Sequence, residues 1–235
     1  MGDALKQLFS SGQHRREDIW VQTKFTSIDG QDPNRIPYDN SKPAPEQVKQ
    51  SIEISRQNLK VEVIDSLILH SPMRGGFEDT LEVWRALETG VDEGKVQILG
   101  ISNCYDFEFF TRLYNSARHK PKVLQNRFYN KTKWDCDLRA FCLQNQIAYQ
   151  SFWTLTANPE LLRNKFVQQI ARENKITEEQ VLYKFLVDLG HQPLTGCTTL
   201  NHVQEAVAVK DIPRLADDAL KGIKQLIGDT YPISM

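Results

Sequence analysis

Two strand-like runs of this chain end in side chains that can do chemistry. Ile19-Trp20-Val21-Gln22-Thr23-Lys24 closes on a lysine, and Val63-Ile64-Asp65-Ser66-Leu67-Ile68-Leu69-His70 closes on a histidine followed by Ser71-Pro72. A third run, Val96-Gln97-Ile98-Leu99-Gly100-Ile101, ends in Ser102-Asn103. Polar groups placed repeatedly at the carboxyl ends of apolar strands are what an α/β barrel needs, because its chemistry is assembled on that face.

The elements that position these residues alternate along the chain. After Lys24 comes a polar loop, Asp29 to Pro45, then a helix with Val48, Ile52, Ser55 and Leu59 at spacings of three to four. After His70 a Gly75-Gly76 loop leads to a helix carrying Leu81, Trp84, Leu87 and Val91, closed by Gly94; after Asn103, Asp106 can cap a helix. A fourth strand, Val123 to Phe128, precedes a helix from Asp135 to Asn145. A fifth, Ile147 to Trp153, leads to a helix start at Asn158-Pro159 and a second helix from Thr177 to Leu189. A sixth, Gln192 to Cys197, precedes a helix near Asn201, and a last amphipathic helix spans Asp217 to Ile227. Six βα units imply a parallel sheet with buried strands.

A complete barrel of this kind has eight units and about 250 residues. This chain of 235 residues has six strands and opens inside a helix with the stripe Ala4, Leu5, Leu8 and Phe9, for which only Asp3 is available as a cap. The expectation is an incomplete barrel, its first two strands and first helix missing. Composition is that of an ordinary globular protein, 40% hydrophobic and 25% charged. The net charge of −1, with no basic block, argues against nucleic acid as partner. No apolar run approaches 18 residues and no secretory signal is visible, which points away from the membrane and toward the cytoplasm. The cysteines (Cys104, Cys136, Cys142, Cys197) have no metal-ligand spacing and read as free thiols.

Trp20-Val21-Gln22-Thr23-Lys24, the stretch Ile64 to Pro72, the stretch Gly94 to Asn103 and Gln125-Asn126, in that order, resemble the aldo-keto reductases, nicotinamide-dependent carbonyl reductases built on an eight-stranded barrel. The likeness runs from about residue 2 to about residue 227. It implies a single barrel domain over residues 1–235, made of strands three to eight plus the C-terminal helix, and a small-molecule aldehyde or ketone as substrate.

The resemblance also implies site roles. In that family a tyrosine donates a proton to the carbonyl oxygen, a lysine held by an aspartate lowers the phenol's pKa, and a histidine orients the substrate. Lys24 matches the lysine and His70 the histidine; no residue here matches the aspartate or the tyrosine. Ser102, Asn103 and Gln125 match the residues that hold the nicotinamide carboxamide, and Phe152 the aromatic ring that stacks on it, with Trp153 the alternative one residue on. Leu155 to Asn158 match the loop near the pyrophosphate. Thr195, Gly196, Cys197, Thr198 and Thr199 lead into a helix carrying His202 and Glu205, whose amino terminus suits phosphate. Gly196, Cys197 and His202 stand where NADP-preferring members commonly have a lysine, a serine and an arginine; with no fixed cation aligned there, NADP over NAD is only a modest preference, carried by the family resemblance. No metal is implied. Two functions follow: an NADP-dependent carbonyl reductase lacking half of its catalytic tetrad, or a non-catalytic cofactor-binding or regulatory module. A degenerate fragment is the third reading. In the long loop, Tyr38 is a candidate substitute acid.

Overall fold

Apolar strands alternate with helices through two compact units, residues 1–124 and the chain from Gln125 onward; the computed structural model describes residues 1–232. The first unit runs α1 (Gly2–Ser10), β1 (Gln22–Phe25), α2 (Ala44–Leu59), β2 (Ile64–Leu69), α3 (Phe77–Asp92), β3 (Val96–Ser102), α4 (Phe107–Ser116) and the start of β4 (Val123–Arg127). The second continues β4 and adds α5 (Cys136–Gln144), β5 (Ala148–Phe152), α6 (Pro159–Leu162), α7 (Lys165–Asn174), α8 (Glu178–Asp188), β6 (Gln192–Pro193), α9 (Leu200–Ala208) and α10 (Asp217–Leu226). The six strands follow chain order in one sheet, and β1–β2, β2–β3 and β5–β6 pair in parallel.

In the first unit every residue of β2 is buried, as a parallel strand covered on both faces must be. Trp84 and Leu87 of α3 and Val48 and Ile52 of α2 are buried as well, each at most 3% exposed. Burial of each such side chain stabilises by about 1.5–3 kcal/mol. Asp65 fastens β1 to β2: its Oδ2 accepts from the Val21 N–H at 2.6 Å and from the Arg16 guanidinium at 2.7 Å. Asp106 caps α4, accepting from the Phe109 N–H at 2.7 Å. Gly94, just past α3, has φ +67°, a conformation a glycine adopts without Cβ strain.

In the second unit the core gathers Phe128, Val167, Val181, Phe185, Leu186, Leu215, Leu220 and Ile223. Thr177 and Gln180 form a reciprocal capping box at the start of α8. Ahead of α5, Lys133, Trp134 and Asp135 all have positive φ. Left-handed backbone at non-glycine residues costs roughly 1–2 kcal/mol each, offset here by the hydrogen bonds of Trp134 to Asn158 (2.7 Å), Asn126 to Asp135 (2.8 Å) and Tyr149 to Asp135 (3.0 Å).

Four sequence expectations are corrected. Strand β1 starts at Gln22 rather than Ile19 and passes Lys24 to end at Phe25. The sixth strand is only Gln192–Pro193, because Pro193 has no N–H to donate; pairing goes one bond further, Leu194 N–H to the Ser151 carbonyl at 2.8 Å. Between Asn158 and Thr177 lie two helices, α6 and α7, the second capped by Asn164. Asp3 does not cap α1: Met1 is the N-cap residue, and Asp3 pairs instead with Lys60 of the chain following α2.

Candidate functional site

Register settles which strand residues share a face. In the first unit Lys24 pairs with Ile68, and Ile68 with Gly100. Residues two apart on a strand point the same way, so His70 and Ser102 fall on the face of Lys24, at the carboxyl end of the strands. His70 continues the ladder, its N–H donating to the Phe25 carbonyl at 2.9 Å. The three residues singled out from the runs are therefore brought to one place.

Their surroundings tune them. Burial holds the Lys24 ammonium below its ordinary pKa, and among the described residues no carboxylate pairs with it. Burial, and then the charge of Lys24, hold His70 below its ordinary value, so the ring is neutral at pH 7. Its Nδ1 lies 3.1 Å from Thr26 Oγ1. Asn103 sits beside it in the left-handed region (φ +53°), which asparagine tolerates, and donates from Nδ2 to the His70 carbonyl at 2.8 Å. Tyr105 donates to Asn103 Oδ1 at 3.2 Å. Asn103 Nδ2 also donates to Ser102 Oγ at 3.3 Å, which uses both of its hydrogens, and only Oδ1 has capacity for one more bond.

Tyr38 is buried, but its hydroxyl donates to the Thr26 carbonyl at 2.8 Å and burial raises its pKa. A committed, weakly acidic phenol is a poor general acid, so the sequence expectation of a substitute acid is not supported.

In the second unit Gln125, on β4, and Gln150, on β5, are joined by a hydrogen bond of 2.8 Å and so share a face; Arg127 and Phe152, two residues further along each strand, lie on it too. The Arg127 guanidinium stands 6.0 Å from the Phe152 ring, 5.2 Å from Tyr129 and 4.1 Å from Trp153. Phe152 is half-buried, whereas Trp153 is 58% exposed with φ +53°, so strand parity puts Phe152, and not Trp153, on the face of Gln125. Leu155 packs against the core of this unit, which leaves its backbone to line the loop. That loop is held by Asn158, 0% exposed, whose Nδ2 donates to the Phe128 carbonyl at 2.6 Å and the Thr154 carbonyl at 2.9 Å.

Thr195, Gly196, Cys197, Thr198 and Thr199 form an irregular loop in which Thr195 Oγ1 and Cys197 Sγ are 2.7 Å apart. Thr199 caps α9, accepting from the His202 N–H at 3.4 Å. His202 is exposed on the first turn, and the Glu205 carbonyl accepts from Gln180 Nε2 at 2.9 Å. Beside this loop a 360 Å³ cleft lies between α8 and α9, bordered by Tyr183, Gln192 and Thr195. In the first unit a 390 Å³ cleft involves Ile52, Gly90 and Lys95, at the amino end of β3 and so at the opposite end of the strands from His70 and Ser102.

Sequence reasoning missed Arg127 and its three rings, Thr26, and the glutamines at 150 and 192. The signal for the glutamines was present: a polar amide at the same depth of successive apolar strands. Also unforeseen is a buried cluster in which Arg139 donates to Asp229 (2.7 Å) and approaches His191 Nε2 (3.2 Å), while Lys224 pairs with Asp229 at 2.6 Å. The cysteines are free thiols, as expected. Among the described residues no group of histidine, cysteine and carboxylate side chains could hold a metal ion, and no helix is long and apolar enough to cross a membrane.

Comparison with known proteins gives this arrangement a context. The chain is 29% identical over 220 residues to the 9,11-endoperoxide prostaglandin H2 reductase of Trypanosoma cruzi, covering 91% of this chain and 70% of that protein. It is 24% identical over 266 residues to the NAD(P)H-dependent D-xylose reductase of Kluyveromyces lactis, covering 96% and 76%. In fold it is similar to the aldose reductase of Giardia lamblia (TM-score 0.78, 21% identity, 98% of this chain and 80% of that one). It is equally similar to an aldo-keto reductase of the silkworm Bombyx mori complexed with NADPH (TM-score 0.78, 21% identity, 100% and 71%). The Aldo/keto reductase family model matches residues 1–227. With that match running from Met1 past the end of α10, the chain belongs to the aldo/keto reductase family.

Proposed function

We propose that the protein is an oxidoreductase acting on a small-molecule aldehyde or ketone, with NADP as its cofactor, working as one reductase domain over residues 1–235 in a reducing, cytoplasmic setting. The observation that carries this reading is the placement of Lys24, His70 and Ser102 on one face at the carboxyl ends of three consecutive parallel strands. Membership of the family and the NADPH-bound silkworm relative support the cofactor.

The residues present suit that cofactor. In the first unit Asn103 offers an amide acceptor and Ser102 a hydroxyl; in the second unit Gln125 offers an amide and half-buried Phe152 a flat apolar face. The loop from Thr195 to Thr198 and the amino terminus of α9, with His202 and Glu205, receive phosphate; residues 195–205 include neither lysine nor arginine, so the preference for NADP over NAD is modest. When bound, the reduced dinucleotide supplies hydride to the carbonyl carbon.

The chain's own residues do the rest. Neutral His70, with Nδ1 engaged by Thr26, presents Nε2 to the substrate oxygen and orients it. Lys24 brings a positive charge next to that oxygen as it gains negative character. The proton donor and its aspartate have no counterpart in the sequence. Lys24 without a carboxylate and Tyr38 committed to Thr26 favour a second reading, a module that binds cofactor and carbonyl compounds with little or no turnover.

Titration with NADPH followed by tryptophan fluorescence, and reduction of model aldehydes by wild type, Lys24→Met and His70→Ala, decide between them. Binding with turnover lost in both variants supports the reductase. Binding without turnover supports the module. Absence of nicotinamide-cofactor binding rejects both.

A further inference from the structure

The imidazole of His191, just before β6, has one nitrogen served and one unserved. Arg139 Nη1 lies 3.2 Å from His191 Nε2. A guanidinium can only donate, so Nε2 is the bare, accepting nitrogen. Burial, and then the charge of Arg139, push the ring down to about 3, so it is neutral at pH 7 and its one hydrogen sits on Nδ1. His191 is 4% exposed, and among the described residues its Nδ1 has no hydrogen-bond partner. A buried donor left unmet costs free energy, and such donors in folded proteins ordinarily meet an acceptor.

His191 borders two hollows of the second unit. The one it shares with Arg139 measures 20 Å³, room for about one water. The two ring nitrogens lie on opposite sides of Cε1, so Nδ1 is directed away from Arg139. The other hollow is the 360 Å³ cleft between α8 and α9, within the range of about 300–1,000 Å³ that suits small organic molecules. Its sides are apolar: Val187 of α8 and Val207 of α9, 40% and 56% exposed, with Pro193 of β6. Among the residues that border it Lys210 is the one cation, and none is a carboxylate. Lys210 is exposed, and among the described residues it pairs with no acid. His191 adjoins the amino end of β6, whereas the loop assigned above to the cofactor phosphates follows its carboxyl end.

We propose that this cleft is a ligand site other than the cofactor and carbonyl sites, and that it takes a small monocarboxylic acid with an apolar body. A carboxylate oxygen accepts from the His191 Nδ1–H, the Lys210 ammonium balances the charge, and the two valines and the proline hold the hydrocarbon. A purely apolar molecule leaves Nδ1 unmet, and a cation is repelled by Lys210.

The test titrates the full chain with phenylacetate, phenylacetamide and ethylbenzene, by calorimetry and by the imidazole N–H signal of His191 in NMR. Phenylacetate should bind saturably and move that signal. Phenylacetamide keeps an acceptor without the charge and should bind about three-fold more weakly, because Lys210 is solvated. Ethylbenzene, with no acceptor, should bind roughly ten-fold more weakly or worse. His191→Gln sets its amide near the place of Nε2, so it keeps an acceptor for Arg139 but lacks the Nδ1–H, and should lose roughly ten-fold in phenylacetate affinity. His191→Asn sets an N–H2 near the place of Nδ1 and should stay within about three-fold of wild type. That rescue is one that packing at residue 191 does not predict, since asparagine is the poorer match in size. Should neither variant fold, Ala206→Phe, which fills the cleft from the side of α9, should abolish binding. No saturable phenylacetate binding by wild type, full binding by His191→Gln, or wild-type binding by Ala206→Phe overturns the proposal. Phenylacetamide binding as tightly as phenylacetate overturns the choice of an acid. An Nδ1–H signal in contact with bound water and unmoved by phenylacetate overturns the site itself, giving the donor to water.

Discussion

Thr26 Oγ1 lies 3.1 Å from His70 Nδ1, and that single contact decides which face of the imidazole is available to a ligand. Thr26 is itself pinned, since its carbonyl accepts from Tyr38 at 2.8 Å and from Gln31 Nε2 at 3.0 Å. The loop after β1 therefore serves the histidine through Thr26, and its tyrosine acts as a brace.

Tyr38→Phe should leave carbonyl reduction, at whatever rate wild type shows, unchanged within about two-fold. It should lower stability by about 1 kcal/mol, the usual worth of one such hydrogen bond. Paired kinetic and melting measurements check this; a loss of turnover beyond ten-fold with a normal melt would restore Tyr38 as an acid.

Lys24→Met should raise the pKa of His70 toward the ordinary value of about 6.5, because one of the two causes of its depression is removed. A depressed histidine binds its proton more readily unfolded than folded. The stability associated with neutral His70 is thus present above about pH 6.5 and declines as the pH falls below it. Proton NMR titration of the imidazole in wild type and variant reads the shift directly, and an unchanged His70 pKa in Lys24→Met would show that the two groups are not coupled.

His191 should dominate the acid limb of stability. Burial, and then the charge of Arg139, push it down to about 3. Between about pH 6.5 and pH 3 the unfolded chain takes up a proton that the folded one refuses, so stability should fall by several kcal/mol over that window. Urea melts at pH 7, 5 and 4 should show that fall in wild type and a shallower one in His191→Gln. Parallel curves for the two proteins would assign the acid limb elsewhere.

Asn158→Ala should destabilise by about 2–4 kcal/mol, because it strips partners from the Trp134 indole and from two buried carbonyls at once. Leu155 and the positive-φ turn from Lys133 to Asp135 should loosen with it, seen as faster amide exchange in residues 129–135 and 153–158. A loss under 1 kcal/mol would mean that water replaces those bonds freely.

The sequence by itself determined the order of the strands and the placement of Lys24, His70 and Ser102 near the carboxyl ends of three successive strands. These are local properties. The period of apolar residues sets each element, and a cap such as Asp106 or Thr177 bonds a backbone N–H only three residues away. Pairing across strands is not local, and there only the tertiary structure decided. Gln125, Gln150 and Gln192 are separated by 25 and 42 residues, and only register makes them one row. Tyr38 read as a possible acid until folding placed the Thr26 carbonyl against its hydroxyl. The last strand read as six residues until Pro193 withheld a donor from the ladder. Arg139, His191, Lys224 and Asp229 lie up to 90 residues apart, and folding gathers them because a buried charge persists only where it meets a partner of opposite sign, as Arg139 and Lys224 meet Asp229.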